Sequence, residues 1–183
     1  FCVPGESYLA VIDAMYDAPG IDVVTTRHEG GAGFMAVADA KMTGKPGIVM
    51  VSRGPGATNA SIGVHVSQQD AVPMVLFVGQ VAREDIGRNA FQEVDYAQTF
   101  SDMAKWVVEI NDADKVAENV RRAFTIAQSG IPGPVVVSLP EDMLLDQTDV
   151  QSLAPTVISQ PKPDSGDILK LCDMLSNAER PLI

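Results

Sequence analysis

The sequence Arg27-His28-Glu29-Gly30-Gly31-Ala32-Gly33 joins two segments of different character. Residues 21–26 are rich in β-branched side chains and predict a strand, whereas residues 34–42 favour a helix. A strand that leads directly into a helix places the connecting loop at the carboxyl edge of a parallel sheet, where open α/β sheets bind ligands. We therefore expect Glu29, on the first helical turn, to point into a cleft at that edge.

Glu29 also has a purely structural interpretation. An acidic residue in the first turn complements the positive end of the helix dipole. The glycines at 30, 31 and 33 favour a functional role, because each costs about 1 kcal/mol relative to alanine in a helix interior. A chain that keeps such residues usually needs something to approach its backbone closely. At this point both interpretations of Glu29 stay open.

The composition excludes several classes of protein. The chain has 183 residues, 46% of them hydrophobic, which is enough for a sizeable core. Its formal net charge of −11 argues against a nucleic-acid partner. Cys2 and Cys172 lack a metal-ligand spacing and predict free thiols in a reducing compartment. No apolar run approaches the roughly 20 residues of a membrane span, so we expect a cytoplasmic protein with no membrane partner.

Strand and helix signals alternate along residues 1–145 and predict one α/β domain. Such alternation with short loops indicates a doubly wound fold with a mainly parallel six-stranded sheet and helices on both faces. The predicted strands are residues 1–3, 21–26, 48–52, 73–78, 105–110 and 134–139. The predicted helices are residues 6–16, 29–43, a ten-residue segment ending near 68, 95–101 and 113–129.

The composition changes after residue 145. Residues 146–163 contain scattered Gln, Ser, Thr and Pro and predict an extended linker. Asp164 and Ser165 predict the cap of a helix at residues 168–175. We expect residues 164–183 to be the start of a truncated central domain.

The loop Gly54-Pro55-Gly56-Ala57-Thr58-Asn59 does not match a dinucleotide fingerprint, because Asn59 stands where the third glycine is required. Its glycines still allow a flat ligand to lie against the backbone. Asn59, expected at the start of a helix, could bind such a ligand or simply serve as a polar residue of the first turn. The two histidines give no zinc-ligand pattern, so no metal site is predicted in this chain. Ser52 and Ser61 lack the surroundings of a hydrolase nucleophile.

Seven motifs, in this order and spacing, resemble the N-terminal pyrimidine-binding domain of thiamine-diphosphate enzymes. Within that family the resemblance points to acetolactate synthase, also called acetohydroxyacid synthase. It covers residues 1 to about 145. The motifs are Val3-Pro4-Gly5, Arg27-His28-Glu29-Gly30-Gly31-Ala32-Gly33, Thr43-Gly44-Lys45-Pro46-Gly47, Gly54-Pro55-Gly56-Ala57-Thr58-Asn59, Asp70-Ala71-Val72-Pro73-Met74, Gly79-Gln80-Val81 and Ala90-Phe91-Gln92-Glu93.

The resemblance implies a role for each matching residue. Glu29 matches the catalytic glutamate that hydrogen-bonds N1′ of the cofactor's aminopyrimidine. The remaining matches are the loop against that ring (Val3, Pro4 and Gly5), further positions around it (Ser52, Pro55 and Asn59) and the substrate channel (Phe91 and Gln92). The chain departs from the family pattern at Glu6, at Arg53 and at Gln69-Asp70, which leaves the substrate open.

The resemblance also implies cofactors and partners. It implies thiamine diphosphate with Mg²⁺, whose diphosphate and metal site lies in a C-terminal domain of a partner subunit, and it admits FAD. The expected assembly is a homodimer or tetramer with the pyrimidine site at a subunit interface. The expected reaction is a carboligation or decarboxylation of a small 2-keto acid, and we expect the fragment alone to be inactive.

Three alternatives remain at this stage. One is another thiamine-diphosphate enzyme, of the sulfoacetaldehyde acetyltransferase or benzoylformate decarboxylase type. Another is a non-catalytic binding module that kept the fold. The third is a generic nucleotide-binding domain, which is disfavoured because Asn59 replaces the third glycine of the dinucleotide fingerprint.

Overall fold

A four-stranded parallel sheet lies at the centre of the computed structural model, which describes residues 1–159 and 161–182. The strands are β1 (Gly47–Val51), β2 (Met74–Gln80), β3 (Trp106–Glu109) and β4 (Pro134–Pro140). They lie in the order β1-β2-β4-β3, and all neighbours are parallel. β2 and β4 are buried along their whole length, as their continuous apolar sequence indicates.

The helices of the described residues lie before β1, between the strands and after β4. They are α1 (Leu9–Tyr16), α2 (Glu29–Thr43), α3 (Pro55–Gln69), α4 (Tyr96–Phe100), α5 (Val116–Gln128) and α6 (Ser165–Asn177). Short 3₁₀ turns at Glu6–Tyr8, Arg83–Asp85, Ala113–Lys115 and Met143–Leu145 complete the regular structure of the described residues.

Each face of the sheet carries its own hydrophobic core, so helices cover both faces as predicted. Met74, Leu76 and Val78 of β2 pack on one side, with the small residues of α2 and α3. Val75 and Phe77 pack on the other side, with α5 and α1. Alternate residues of one buried strand therefore serve two separate cores, as the period of two along a strand requires.

The predicted count of six strands is not confirmed, because two of the predicted strands form only isolated bridges. Cys2 bridges Thr25 on one side and Met50 on the other. Backbone hydrogen bonds still align these segments beside β1, including one from the N–H of Thr26 to the carbonyl of Cys2 at 2.8 Å. Ile21 and Val23 are exposed. Their β-branched composition suggested a strand, but they lack the sheet burial that would favour one.

The helix predictions are largely confirmed, with one difference that matters for the site. α2 has the predicted bounds. α3 begins at Pro55, well before the predicted start near Asn59, so Asn59 lies in its second turn. Proline suits the first helical position because its missing N–H has no intrahelical partner there.

The segment after β4 differs from the rest of the chain. Residues 146–159 have no regular secondary structure. The division into a first domain, a linker and a central domain stays a prediction, and residues 160 and 183 lie outside the described residues. The side chain of Asp164 caps α6 by accepting a hydrogen bond from the N–H of Gly166 at 2.8 Å. The described residues contain no helix of the length and apolarity that crossing a bilayer requires.

Candidate functional site

At Gly33 and Gly63, α2 and α3 approach each other backbone to backbone. A Cβ added to Gly33 would lie 2.9 Å from the Cα of Gly63, and one added to Gly63 would lie 2.6 Å from the Cα of Gly33. Only glycine at both positions allows this approach. Gly33 is therefore explained by how α2 meets its neighbour, whereas a Cβ added to Gly31 would meet nothing within 4 Å.

This crossing places Glu29 and Asn59 opposite each other. Glu29 precedes Gly33 by one helical turn, and Asn59 precedes Gly63 by the same interval, so each lies on the contact face of its helix. The Nδ2 of Asn59 donates to the Oε2 of Glu29 at 3.0 Å. Sequence alone did not reveal this pair, because it depends on the register of two helices.

The beginning of α2 fixes the backbone on which Glu29 stands. The Nδ1 of His28 accepts a hydrogen bond from the N–H of Gly30 at 3.0 Å, which satisfies one of the free N–H groups of the first turn. His28 is thus the helix cap, in line with a structural role. Glu29 itself is half-buried.

The space beside the Glu29 carboxylate is bordered by the β1–α3 turn. A Cβ added to Gly56 would lie 3.6 Å from the Oε1 of Glu29 and 3.5 Å from the Cβ of Ser52. Glycine at 56 leaves this place without a side chain. One oxygen of Glu29 thus faces Asn59, and the other faces a bare stretch of backbone.

The loop of Val3, Pro4 and Gly5 lies against the same turn. A Cβ on Gly5 would lie 2.5 Å from the Cβ of Ser52, so the loop backbone contacts Ser52 directly. The hydroxyls of Ser7 and Ser52 are 3.0 Å apart. The hydroxyl of Tyr8 donates a hydrogen bond to the carbonyl of Val3 and so fixes the loop. Burial raises the pKa of Tyr8 well above its ordinary value.

Gln92 reaches the turn from the segment after β2, and Phe91 precedes it in that segment. A Cβ on Gly54 would lie 2.7 Å from the carbonyl oxygen of Gln92, so the two backbones are in contact. The hydroxyl of Tyr96 accepts from the N–H of Gly54 at 2.9 Å and donates to the carbonyl of Gly79 at 3.1 Å. Phe91 is 77% exposed beside this contact.

Arg53 forms an ionic cluster at the same edge that sequence analysis did not foresee. Its guanidinium donates to Glu141 at 2.6 Å and to Glu6 at 3.1 Å, and only 10% of its side chain is exposed. Glu6 and Arg53 are two of the three departures noted above, and they pair with each other. Two departures of opposite charge were therefore the signal in the sequence from which this ion pair could have been predicted.

The structure thus brings the residues singled out by sequence to one edge of the sheet in three contacts. Glu29 meets Asn59, Gly5 meets Ser52, and Gln92 meets the turn at Gly54. Pro4 and Pro55 are exposed at this edge. Across the described ranges, no three potential metal-ligating side chains cluster.

Residues 1–99 match the family described as "Thiamine pyrophosphate enzyme, N-terminal TPP binding domain". The chain belongs to this family. The resemblance inferred from the seven motifs is therefore confirmed.

The chain is also similar to several acetolactate synthases. It is 43% identical over 143 residues to the mitochondrial acetolactate synthase catalytic subunit of Aspergillus candidus, covering 78% of this chain and 21% of the relative. It is 35% identical over 189 residues to the acetolactate synthase isozyme 3 large subunit of Escherichia coli K12, covering 100% of this chain and 33% of the relative. The chain spans a third or less of the length of these relatives.

Proposed function

We propose that this chain is the pyrimidine-binding part of a thiamine-diphosphate-dependent enzyme that acts on 2-keto acids, of the acetolactate synthase type. The observation that carries the proposal is the Glu29 carboxylate, held by Asn59 at 3.0 Å with its second oxygen beside Gly56. Membership of the thiamine pyrophosphate family and the similarity to acetolactate synthases support it.

The residues at this edge suit an aminopyrimidine. Such a ring needs a carboxylate that accepts a hydrogen bond from its protonated N1′, and flat surfaces without side chains on which to lie. Glu29 offers the carboxylate, and Gly56 leaves the place beside Oε1 bare. The loop of Val3, Pro4 and Gly5, packed on Ser52, offers backbone. Pro55 and Asn59 complete the set that we propose for cofactor binding.

Glu29 would hold a proton at N1′, and this is the catalytic contribution we propose for the chain. The bound cofactor supplies a thiazolium, which accepts the electrons released when a 2-keto acid loses carbon dioxide. A charge-assisted hydrogen bond that the Glu29 carboxylate accepts is strengthened where water is excluded. Asn59 fixes the carboxylate in place, and Phe91 and Gln92 would line the path of the substrate.

The proposed enzyme needs a second subunit or domain to complete the site. Phe34, Ile62 and Phe91 are apolar and exposed on α2, α3 and the segment after β2. Exposed apolar side chains around a half-formed site favour burial in an interface. We therefore propose a homodimer or tetramer with the pyrimidine site at the interface.

The remaining expectations concern cofactors and compartment. Mg²⁺ and the diphosphate would be bound outside residues 1–145, and we assign no residue of this chain to Mg²⁺ or FAD. We keep a cytoplasmic location as a prediction, although similar fungal proteins are named as mitochondrial.

Substitution Glu29→Gln in the full-length protein tests the proposal. We expect thiamine-dependent turnover of pyruvate to fall by about 10²–10⁴-fold, because a general acid–base group is lost, while circular dichroism shows an unchanged fold. Glu118→Gln is the matched control, since Glu118 also lies in the first turn of a helix, α5. Near-full activity of the Glu29→Gln protein would overturn the assignment. Acetolactate as product would support the carboligase, whereas free aldehyde would favour the decarboxylase alternative.

A further inference from the structure

Residues 86–93 are wrapped around the carboxylate of Glu93. Its Oε1 accepts a hydrogen bond from the N–H of Gly87, and its Oε2 accepts one from the N–H of Ala90 at 2.9 Å. The N–H of Glu93 donates in turn to the carbonyl of Ala90 at 3.0 Å. Hydrogen bonds from Gly87 and then Ala90 lower the pKa of Glu93, so the group is ionised at neutral pH.

The backbone of this segment needs such support. Gly87, Asn89 and Gln92 have φ angles of +82°, +54° and +65°. Glycine adopts this region freely and asparagine tolerates it, but for glutamine it is unfavourable. Strained backbone of this kind persists where surrounding contacts determine it. The Glu93 carboxylate supplies these contacts from inside the loop.

The segment is also fixed from outside, at the border of the Glu29 cleft. Gly54 has a φ angle of +55°, and a Cβ added to it would lie 2.8 Å from the Cβ of Gln92. Gly54 immediately precedes α3, whose Asn59 bonds Glu29. Gln92, for which the positive φ angle is unfavourable, is therefore the residue of the loop that contacts Gly54 at the border of the cleft.

We propose that Glu93 is a positioning residue, whose carboxylate holds the backbone of residues 86–93 so that Phe91 and Gln92 face the 2-keto acid. Glu93 itself does not contact the substrate. This inference rests on the proposed function, in which Phe91 and Gln92 line the substrate path.

The test compares Glu93→Ala, Glu93→Gln and the control Glu84→Gln in the full-length protein. Glu84 is an exposed carboxylate of the same connection. The first measurement is limited trypsin cleavage after the exposed Arg88, inside the loop. We expect Glu93→Ala to raise the cleavage rate at least about tenfold, because cleavage follows the open population of the segment. Glu93→Gln, which keeps one acceptor oxygen, should be intermediate, and the control unchanged.

The second measurement separates a positioning role from a merely structural one. We expect the KM for pyruvate of Glu93→Ala to rise about tenfold with a smaller change in kcat, as for a loss of substrate binding. The affinity for thiamine diphosphate should stay the same, because Glu29 and Asn59 are untouched. Unchanged cleavage after Arg88 would overturn the inference, and so would faster cleavage with an unchanged KM. The unsubstituted protein is assayed first. If it shows no turnover that depends on thiamine diphosphate, the proposed function is overturned, and this outcome is distinct from a failure of the inference about Glu93.

Discussion

The helices α2 and α6 begin alike and end up in opposite surroundings. Each has a side-chain cap that accepts a hydrogen bond from the N–H two residues later, from Gly30 in α2 and from Gly166 in α6. Each has an acidic residue in its first turn. Yet α2 buries six residues, whereas α6 has no buried residue, and its Leu169 is 67% exposed.

The difference teaches that the capping signals which start a helix do not make a site. α6 has the more obvious apolar side, with Ile168, Leu171 and Leu175 at helical spacing. α2 has small residues instead, and these allow the backbone of α3 to approach it. The close crossing brings Asn59 to Glu29, whereas the acidic residue of α6 stays in solvent. Three substitutions test this comparison.

Substitution Gly63→Ala should have the largest effect on stability. Its Cβ would meet the backbone of Gly33 at 2.6 Å, so the helices must separate. We expect a loss of about 3 kcal/mol in the free energy of unfolding, at the upper end of overpacking effects, measured by urea denaturation. Gly31→Ala is the matched control, because a Cβ there meets nothing within 4 Å; it should be neutral or stabilising by up to about 1 kcal/mol. Equal effects of the two substitutions would contradict the role of the crossing.

Substitution Tyr96→Phe tests whether the start of α3 depends on tertiary bonds. The hydroxyl links the N–H of Gly54 to the carbonyl of Gly79, and burial raises the pKa of Tyr96 to about 12, so it stays protonated at neutral pH. Removal of the hydroxyl leaves these two buried backbone groups without this partner. We expect the free energy of unfolding, measured by urea denaturation, to fall by about 2 kcal/mol. Tyr16→Phe, at a side chain that is 90% exposed, should change stability by less than about 0.5 kcal/mol. If the free energy of unfolding of the Tyr96→Phe protein equals that of the unsubstituted protein, packing alone positions α3.

Substitution Leu169→Ala should have the smallest effect. In the 183-residue chain this side chain is largely exposed, so we expect a change below about 0.5 kcal/mol in thermal or urea unfolding. In the full-length protein the same substitution should cost about 2–5 kcal/mol if a central domain buries α6. A large effect in the short chain would mean that α6 already packs against the first domain.

Much of the fold could be predicted because its signals are local. The continuous apolar runs of β2 and β4 indicated buried parallel strands, and the helix-favouring residues 34–42 indicated α2. The two failures have different causes. Residues 21–26 have strand composition, but pairing with only a three-residue segment leaves them as bridges. The predicted start of α3 is wrong because Gly54 and Pro55 are also typical of a turn, whereas Pro55 here occupies the first helical position.

The family and the parallel α/β architecture could be read from the order of the motifs and the pattern of apolar residues, and the resemblance to the family singled out Glu29 as the candidate catalytic residue. The surroundings of that carboxylate became visible with the folded chain. The contact of Gly33 with Gly63, the bond from Asn59 to Glu29 and the pairing of Glu6 with Arg53 join residues about 30 to 47 positions apart. Such contacts depend on how helices and loops pack on the sheet. A local sequence pattern does not indicate which residues, so far apart in the chain, will meet.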